Sequence, residues 1–141
     1  MSRRYSLTKQ DMKVISRKLY LYREIDNAIA VRKRELEVKQ SHDTNIGGGK
    51  SNRISKPVEE LVMKWDADPQ IQNFNNFRKI VEDLMESLDE ISKEVFHYQW
   101  IDDNYYTEEE IAKKCFTTDR TVRRKKRAIL EKYDKLCGGF W

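Results

Sequence analysis

Apolar residues recur at helical spacing along most of the chain, and this pattern predicts an all-α protein. From Thr8 to about Gln40 no glycine or proline interrupts the pattern, and Thr8 with Asp11 three positions later predicts the start of one long helix. The apolar stripe of this helix consists of Ile15, Leu19, Tyr22, Ile25, Ile29 and Leu36. Its narrow, heptad-like form predicts packing against another helix, in the same chain or in a partner.

A loop and two further helices are predicted next. Residues 41–55 contain Gly47-Gly48-Gly49, which predicts a loop, and Gly-Gly-Gly-Lys lacks the spacing and the preceding strand of a phosphate-binding loop. A second helix starts near Ser55 with Pro57 in its first turn. Asp68 is expected to cap a third helix that runs to about Tyr98. The apolar positions are Val58, Leu61, Val62 and Trp65 in the second helix, and Phe74, Phe77, Val81, Leu84, Leu88, Ile91, Val95 and Tyr98 in the third.

Two helix starts lie only eleven residues apart near the carboxyl end. Thr107 with Glu110 predicts a capping box, and Thr118 predicts the cap of a second helix. Between them Ile111, Ala112 and Cys115 mark a short apolar face. A short helix, a tight turn and a second capped helix are typical of a helix-turn-helix. The chain is therefore divided into a long amino-terminal helix at 1–40, a glycine-containing loop at 41–55, a bundle or oligomerisation region at 56–100 and a helix-turn-helix at 101–141.

Arginines dominate one face of the last predicted helix. Val122, Ile129 and Tyr133 share the face assigned to the core, and four arginines recur at i, i+3, i+4 and i+7 on another, namely Arg120, Arg123, Arg124 and Arg127. A solvated face usually mixes both signs of charge, whereas residues 120–127 contain no acid. The arginine fork fits guanine and phosphate oxygens, so residues 118–133 are interpreted as a recognition helix for the major groove of double-stranded DNA.

Other residues near this helix complete the predicted DNA-binding set. The hydroxyl residues Thr118 and Thr121 lie in its first turn. Phosphate contacts, which position a protein without reading sequence, are predicted for Lys113, Lys114, Lys125 and Lys126.

Charge is segregated along the chain, although the formal net charge is only +4. Residues 82–110 contain 11 acids and one base, and residues 113–127 contain eight bases and one acid. Adjacent blocks of opposite sign indicate specialised surfaces, and polyanion binding is the leading explanation for the basic block.

Composition excludes several classes of protein. Cys115 and Cys137 occupy apolar helix positions and are interpreted as reduced core thiols, and His42 and His97 are too remote in sequence to complete a zinc site. No metal or cofactor is expected. No membrane span or signal peptide is predicted, so we expect a cytoplasmic protein. No nucleophile with a neighbouring base and no paired carboxylates stand out, so catalysis is not expected.

Several motifs resemble a known family. Residues 110–112 (Glu-Ile-Ala), followed by Thr118-x-x-Thr121-Val122 and the arginine-rich helix, resemble the region-four helix-turn-helix of sigma factors. Together with residues 43–48 (Asp-Thr-Asn-Ile-Gly-Gly) and 119–121 (Asp-Arg-Thr), the pattern resembles the RinA-type phage transcriptional activators, relatives of the ArpU group, over most of the chain. Phe116 departs from the helix-turn-helix pattern, because many such proteins have glycine at this turn position.

The resemblance implies a sequence-specific activator of late genes in a phage or prophage, acting in the cytoplasm of a bacterial host. It also implies contact with the host RNA polymerase, through the acidic residues 82–110 or the long amino-terminal helices. The alternative for the acidic residues is that their charge offsets the basic helices within an oligomer. Self-association is expected separately, because both long apolar seams exceed the needs of one small core. The rival interpretation is a phage DNA-packaging protein similar to a small terminase, which also joins a helix-turn-helix to oligomerising helices.

Overall fold

The computed structural model describes residues 6–45 and 57–141, and these residues form helices and turns without a β-strand. The all-α prediction is confirmed for this part of the chain. The helices are α1 (Lys9–Tyr20), α2 (Ile25–Asn45), α3 (Pro57–Ala67), α4 (Pro69–Ser87), α5 (Glu90–Phe96), α6 (Glu108–Lys114) and α7 (Asp119–Leu136), with a 3-10 turn at Leu21–Glu24 and a π-helical turn at His97–Ile101. None of the helices in these two ranges is long and apolar enough to cross a membrane.

The first helix begins at the predicted cap. Thr8 Oγ1 accepts a hydrogen bond from the Asp11 N–H at 3.1 Å, and the Asp11 carboxylate accepts one from the Thr8 N–H at 2.9 Å. The sequence pattern predicts one helix from Thr8 to about Gln40, but the 3-10 turn at Leu21–Glu24 separates α1 from α2. Because a 3-10 turn has fewer residues per turn than an α-helix, side chains beyond it are rotated relative to those before it. In the predicted stripe, Ile15, Leu19, Ile25 and Ile29 are buried, whereas Tyr22 and Leu36 are only half-buried.

The predicted loop boundary at residue 41 is wrong, because α2 continues to Asn45. Extending an existing helix by a residue is far less costly than nucleating a new one, and no glycine occurs before Gly47. The three glycines, and the rest of the predicted loop, lie outside the described residues.

The prediction of one helix from Pro69 to Tyr98 is also wrong. The helix α4 ends at Ser87, and Asp89 starts α5 by accepting a hydrogen bond from the Ser92 N–H at 2.8 Å. Leu88 and Val95 are buried as expected, but Ile91 is exposed. An aspartate N-cap can end one helix and begin the next without any break in the apolar pattern.

The chain forms two compact units, which are residues 24–77 and the segments up to 23 and from 78 to 141. In the 24–77 unit, α2 packs on α3, and the Arg32 guanidinium donates to the Asp68 carboxylate at 3.0 and 2.8 Å. Asp68 also accepts from the Ile71 N–H at 3.1 Å, so it caps α4 as predicted. The hydrogen bond from Arg32 lowers the pKa of Asp68, and the carboxylate stays charged in its buried position.

In the other unit, α7 packs on α1, α5 and α6. Trp100 is fully buried there, although the sequence pattern did not assign it to the core, and its indole N–H donates to Ser16 Oγ at 3.0 Å. The fully buried side chains of this unit also include Ile15, Leu19, Val81, Leu84, Val95, Ile111, Val122 and Tyr133. This core fixes the position of α7, the helix that carries the arginines.

Candidate nucleic-acid interface

The helix α6 starts and packs as its sequence predicts. Thr107 Oγ1 accepts from the Glu110 N–H at 3.2 Å, and Glu110 Oε1 accepts from the Thr107 N–H at 3.4 Å, so the capping box forms. The predicted apolar face is buried and consists of Ile111, Ala112 and Cys115. Burial raises the pKa of the Cys115 thiol to about 11, with a smaller contribution from Glu94, so this thiol is protonated at neutral pH. Cys137 is also a free thiol but is only half-buried.

The turn after α6 is closed by two backbone hydrogen bonds. The Phe116 N–H donates to the Lys113 carbonyl at 3.3 Å, and the Thr117 N–H donates to the Ala112 carbonyl at 2.9 Å. This pair of bonds is the Schellman motif, which places one residue in the left-handed region of backbone conformation. That residue is Phe116, with φ of 55°, and its side chain is 96% exposed. The turn therefore adopts the left-handed geometry although it lacks the glycine that usually permits it.

The helix α7 begins at the predicted cap. Thr118 Oγ1 accepts from the Thr121 N–H at 3.3 Å, and the Thr118 hydroxyl donates to Thr121 Oγ1 at 3.1 Å. The predicted core face is confirmed, because Val122, Ile129 and Tyr133 are all buried, and burial raises the pKa of the Tyr133 hydroxyl. The same face also buries Leu130. The side of α7 that bears its arginines is thus left in contact with solvent.

All four predicted arginines are exposed, and they differ in their contacts. Within the described residues, no carboxylate forms an ion pair with Arg120, Arg123 or Arg124. Arg127 donates through Nε to Glu131 Oε1 at 3.2 Å, one helical turn further along α7. An exposed pair of this kind contributes little to stability, so Arg127 can exchange it for another anion at small cost.

The four lysines of the predicted set fall into two groups. Lys113 is exposed and Lys126 half-buried, whereas Lys114 and Lys125 are held by the fold. The Lys114 ammonium lies 5.6 Å from the centre of the Tyr98 ring and 4.8 Å from that of Tyr106. Such placement over aromatic rings is favourable for a cation.

Lys125 joins α7 to the start of α5. Its ammonium donates to Asp89 Oδ2 at 3.0 Å, while the Ser92 N–H donates to Oδ1 of the same carboxylate. These two donors lower the pKa of Asp89 to about 2, the Ser92 N–H being the larger cause. The sequence pattern did not identify Asp89 as a partner, because the two residues are 36 positions apart.

Among the described residues, no group of three or more His, Cys, Asp or Glu side chains is arranged to hold a metal ion. The surface assembled here is therefore one of arginines, lysines, threonine hydroxyls and one exposed phenyl ring. Such a surface can bind an anion through charge-assisted hydrogen bonds and an apolar group through the ring.

Comparison with protein families gives one match that spans most of the chain. The model of a family described as protein of unknown function (DUF722) matches residues 9–135. No curated protein and no solved structure matches the chain.

Proposed function

The chain belongs to the DUF722 family, whose function is unknown, and from its own residues we propose that it is a sequence-specific protein that binds double-stranded DNA, with α6, the turn and α7 acting as a helix-turn-helix. One observation carries this proposal. A short capped helix leads through a tight turn into a second capped helix, whose exposed face bears four arginines and, from 120 to 127, no acid. The α7 helix is the recognition helix, over about residues 118–133, and its first turns enter the major groove.

The arginines differ in their assigned contacts. Arg120, Arg123 and Arg124 are unpaired within the described residues, so their forks are available for guanine O6 and N7 or for phosphate. Arg127 lies further along α7 and reaches the DNA backbone after release from Glu131. Thr121 and Thr118, at the amino end of α7, supply hydroxyls beside the partial positive charge of the helix terminus, which favours a phosphate.

Phosphate contacts are assigned first to Lys113 and Lys126. Lys114 and Lys125 were predicted to have the same role, but each already has a partner in the protein. We therefore assign to Lys125 the positioning of α7 against α5, and to Lys114 the positioning of α6 over the two tyrosines. Both keep their positive charge and still add to the attraction of DNA.

The biological role is proposed from the resemblance to RinA-type activators. In that role the protein binds near a late promoter of a phage or prophage in a bacterial host and activates transcription. The exposed acids of α4 and α5 provide a surface of opposite sign for a contact with the host RNA polymerase, and they include Glu82, Asp83, Glu86, Glu90 and Glu94. Nothing in this role requires catalysis or a cofactor.

Self-association is part of the proposal. Exposed valines, Val31 and Val38, lie one heptad apart on α2 and line an open groove of about 620 Å³ together with Ala30. On α3, Val58 and Met63 are also exposed, and this helix buries none of its residues. A second copy of the chain would cover these apolar positions, as a coiled-coil-like seam does.

The test is selection of bound fragments from the genome that encodes the protein, with wild-type protein and an Arg120→Ala, Arg123→Ala double variant in parallel. The proposal expects the wild type to recover one site, or a few, close to a promoter and the double variant to recover none of them. A packaging protein would instead recover sites at the packaging start of a phage genome and would assemble as a large ring. Recovery of random fragments by both proteins would contradict sequence-specific binding.

A further inference from the structure

Phe116 combines two unfavourable features in one residue. Its backbone is left-handed, with φ of 55°, and the residue is 96% exposed to solvent, phenyl ring included. Among the non-glycine residues that the structure describes, only Phe116 has a positive φ. A bulky side chain in this conformation is strained, and an exposed phenyl ring gains nothing from burial.

The end of α7 shows how the same chain builds the same turn without strain. There the Gly138 N–H donates to the Lys135 carbonyl at 3.0 Å and the Gly139 N–H to the Asp134 carbonyl at 2.9 Å, which is again the Schellman pair. The left-handed residue is Gly138, with φ of 65°. A Cβ atom on it would meet nothing within 4 Å, so glycine is needed there for its backbone and not for lack of space.

Space does not explain the difference between the two turns, since both sites are open. Glycine would close the turn after α6 at least as well as phenylalanine does. The phenyl ring therefore has a role outside the packing of the fold. Because Phe116 lies two residues before the cap Thr118 and four before Arg120, that role belongs to the amino end of α7.

We propose that Phe116 makes an apolar contact with the 5-methyl group of a thymine next to the bases read by the arginines. This inference rests on the proposed function, which places the amino end of α7 in the major groove. The thymine methyl is the apolar group that base edges present in that groove, and phenylalanine is among the side chains that contact it. Phe116 is then a specificity-determining residue that recognises a methyl group where arginine recognises hydrogen-bond acceptors.

The experiment uses the full chain and the DNA site selected by the wild type. Each thymine of the site is replaced in turn by uracil, which lacks only the methyl group, and affinity is measured for wild type, Phe116→Asn and the control Phe140→Asn. Asparagine tolerates the left-handed region, so the turn is kept. Phe140 is a matched control, because its side chain is 93% exposed and remote in sequence from the turn.

We expect one uracil substitution to weaken wild-type binding about threefold to fivefold, the value of one buried methyl group. Phe116→Asn should lose at least as much affinity for the thymine site, and the same uracil substitution should leave the affinity of this variant unchanged. Phe140→Asn should behave as the wild type does. If the site is selected but Phe116→Asn binds it like wild type, or if no uracil discriminates between the two proteins, the thymine contact is wrong and DNA binding stands. If wild type selects no site, the proposed function and this inference are both wrong.

Discussion

The exposed arginines of α7 carry the same charge as other basic residues, but the proposed function assigns them base contacts as well. Arg123→Ala should weaken binding to the selected site by about 1–3 kcal/mol, because a bidentate base contact is lost. Arg17→Ala is the charge-matched control, since Arg17 is exposed on α1. Fluorescence anisotropy at several salt concentrations measures both. Equal losses in the two variants would mean that Arg123 contributes only charge.

Lys126 is expected to differ from the arginines. Lys126→Ala should weaken binding to all DNA sequences alike and lower the slope of log affinity against log salt by about one unit, since it removes one phosphate contact. The comparison uses the selected site and a scrambled duplex of the same length. A loss confined to the selected site would instead assign Lys126 a base contact.

The strain at Phe116 predicts a gain in stability. Phe116→Gly should raise the free energy of unfolding by about 0.5–1 kcal/mol, because relief of the left-handed strain exceeds the entropy that glycine adds to the unfolded chain. Phe116→Ala is the control, since alanine keeps the strain and the lost ring is almost fully exposed. Chemical denaturation of the three proteins measures the difference. An equal increase in the free energy of unfolding in the alanine and glycine variants would show that the exposed ring, and not the left-handed backbone, destabilises the wild type.

The helix caps were the residues best predicted from sequence. Thr8, Asp68, Thr107 and Thr118 all accept the expected hydrogen bonds. The cap and the backbone N–H that donates to it lie three positions apart, so this prediction needs no knowledge of the fold. The partners of Lys114 and Lys125 could not be predicted in this way. Lys114 of α6 contacts Tyr98 in the π-helical turn, and Lys125 of α7 contacts Asp89 at the start of α5, so each contact exists only after packing has brought these segments together.

At the level of helices, the contact of Asp89 with Lys125 ties the start of α5 to α7. The folded pKa of Asp89, about 2, lies below its ordinary value of 3.8. A carboxyl group with a lowered pKa stabilises the fold, and this contribution is complete when the pH lies above the pKa of the group in the unfolded chain. The contribution is lost as the pH falls through about 4 towards 2. Asp89→Asn should therefore remove part of the acid sensitivity of unfolding between those values, while asparagine still caps α5.

The measurement is denaturant unfolding at pH 5 and pH 2.5, combined with NMR titration of the Asp89 carboxyl. Lys125→Met provides the complementary variant. The pKa of Asp89 should then rise only partway towards its ordinary value, because the Ser92 N–H, the larger cause of the shift, remains. A complete return to the ordinary value would assign the shift to Lys125 alone.

The predicted helices failed where hydrogen-bond geometry changes without a change in the apolar pattern. Between Ser87 and Glu90 the chain starts a new helix, and at Leu21–Glu24 it tightens into a 3-10 turn, yet neither place contains glycine or proline. Glycine and proline are the residues that end a helix by their own backbone geometry. Because both are absent from these two places, the apolar pattern predicts a continuous helix. The competing capping bond of Asp89 decides the outcome at the first of these places.

At the level of the whole molecule, one of the two compact units is built from two separate segments of the chain. The sequence pattern, in contrast, divides the chain into regions that follow one another. One unit joins the residues up to 23 to residues 78–141. The pairing of α1 with α7 could not be inferred from their apolar stripes, because a stripe identifies a face that is buried and not the helix that buries it.

Self-association is the prediction that concerns the whole molecule. Light scattering should give a mass of at least two chains of 17.0 kDa. In a footprinting experiment, a symmetric assembly should protect repeated half-sites about 34 Å apart, or a multiple of that distance. Changing Val31 and Val38 together to glutamate should yield the monomer, because charges cannot be buried in an apolar seam. Val14→Glu is the control, since Val14 is exposed on α1. A wild-type monomer with a footprint of one half-site would contradict the prediction.

The division of the chain into units also determines when the surface proposed to bind DNA can form during synthesis. As the chain leaves the ribosome, α1 emerges before residues 24–77, and these in turn precede the π-helical turn and α7, on which α1 packs. The core around Trp100 and Ile111 can close only after α7 has been made, so its folding depends on contacts between distant parts of the sequence, which form slowly. A premature stop before α7, or a proteolytic cut within residues 6–23, therefore disables the same surface, and the cut does so without altering any residue proposed to contact DNA.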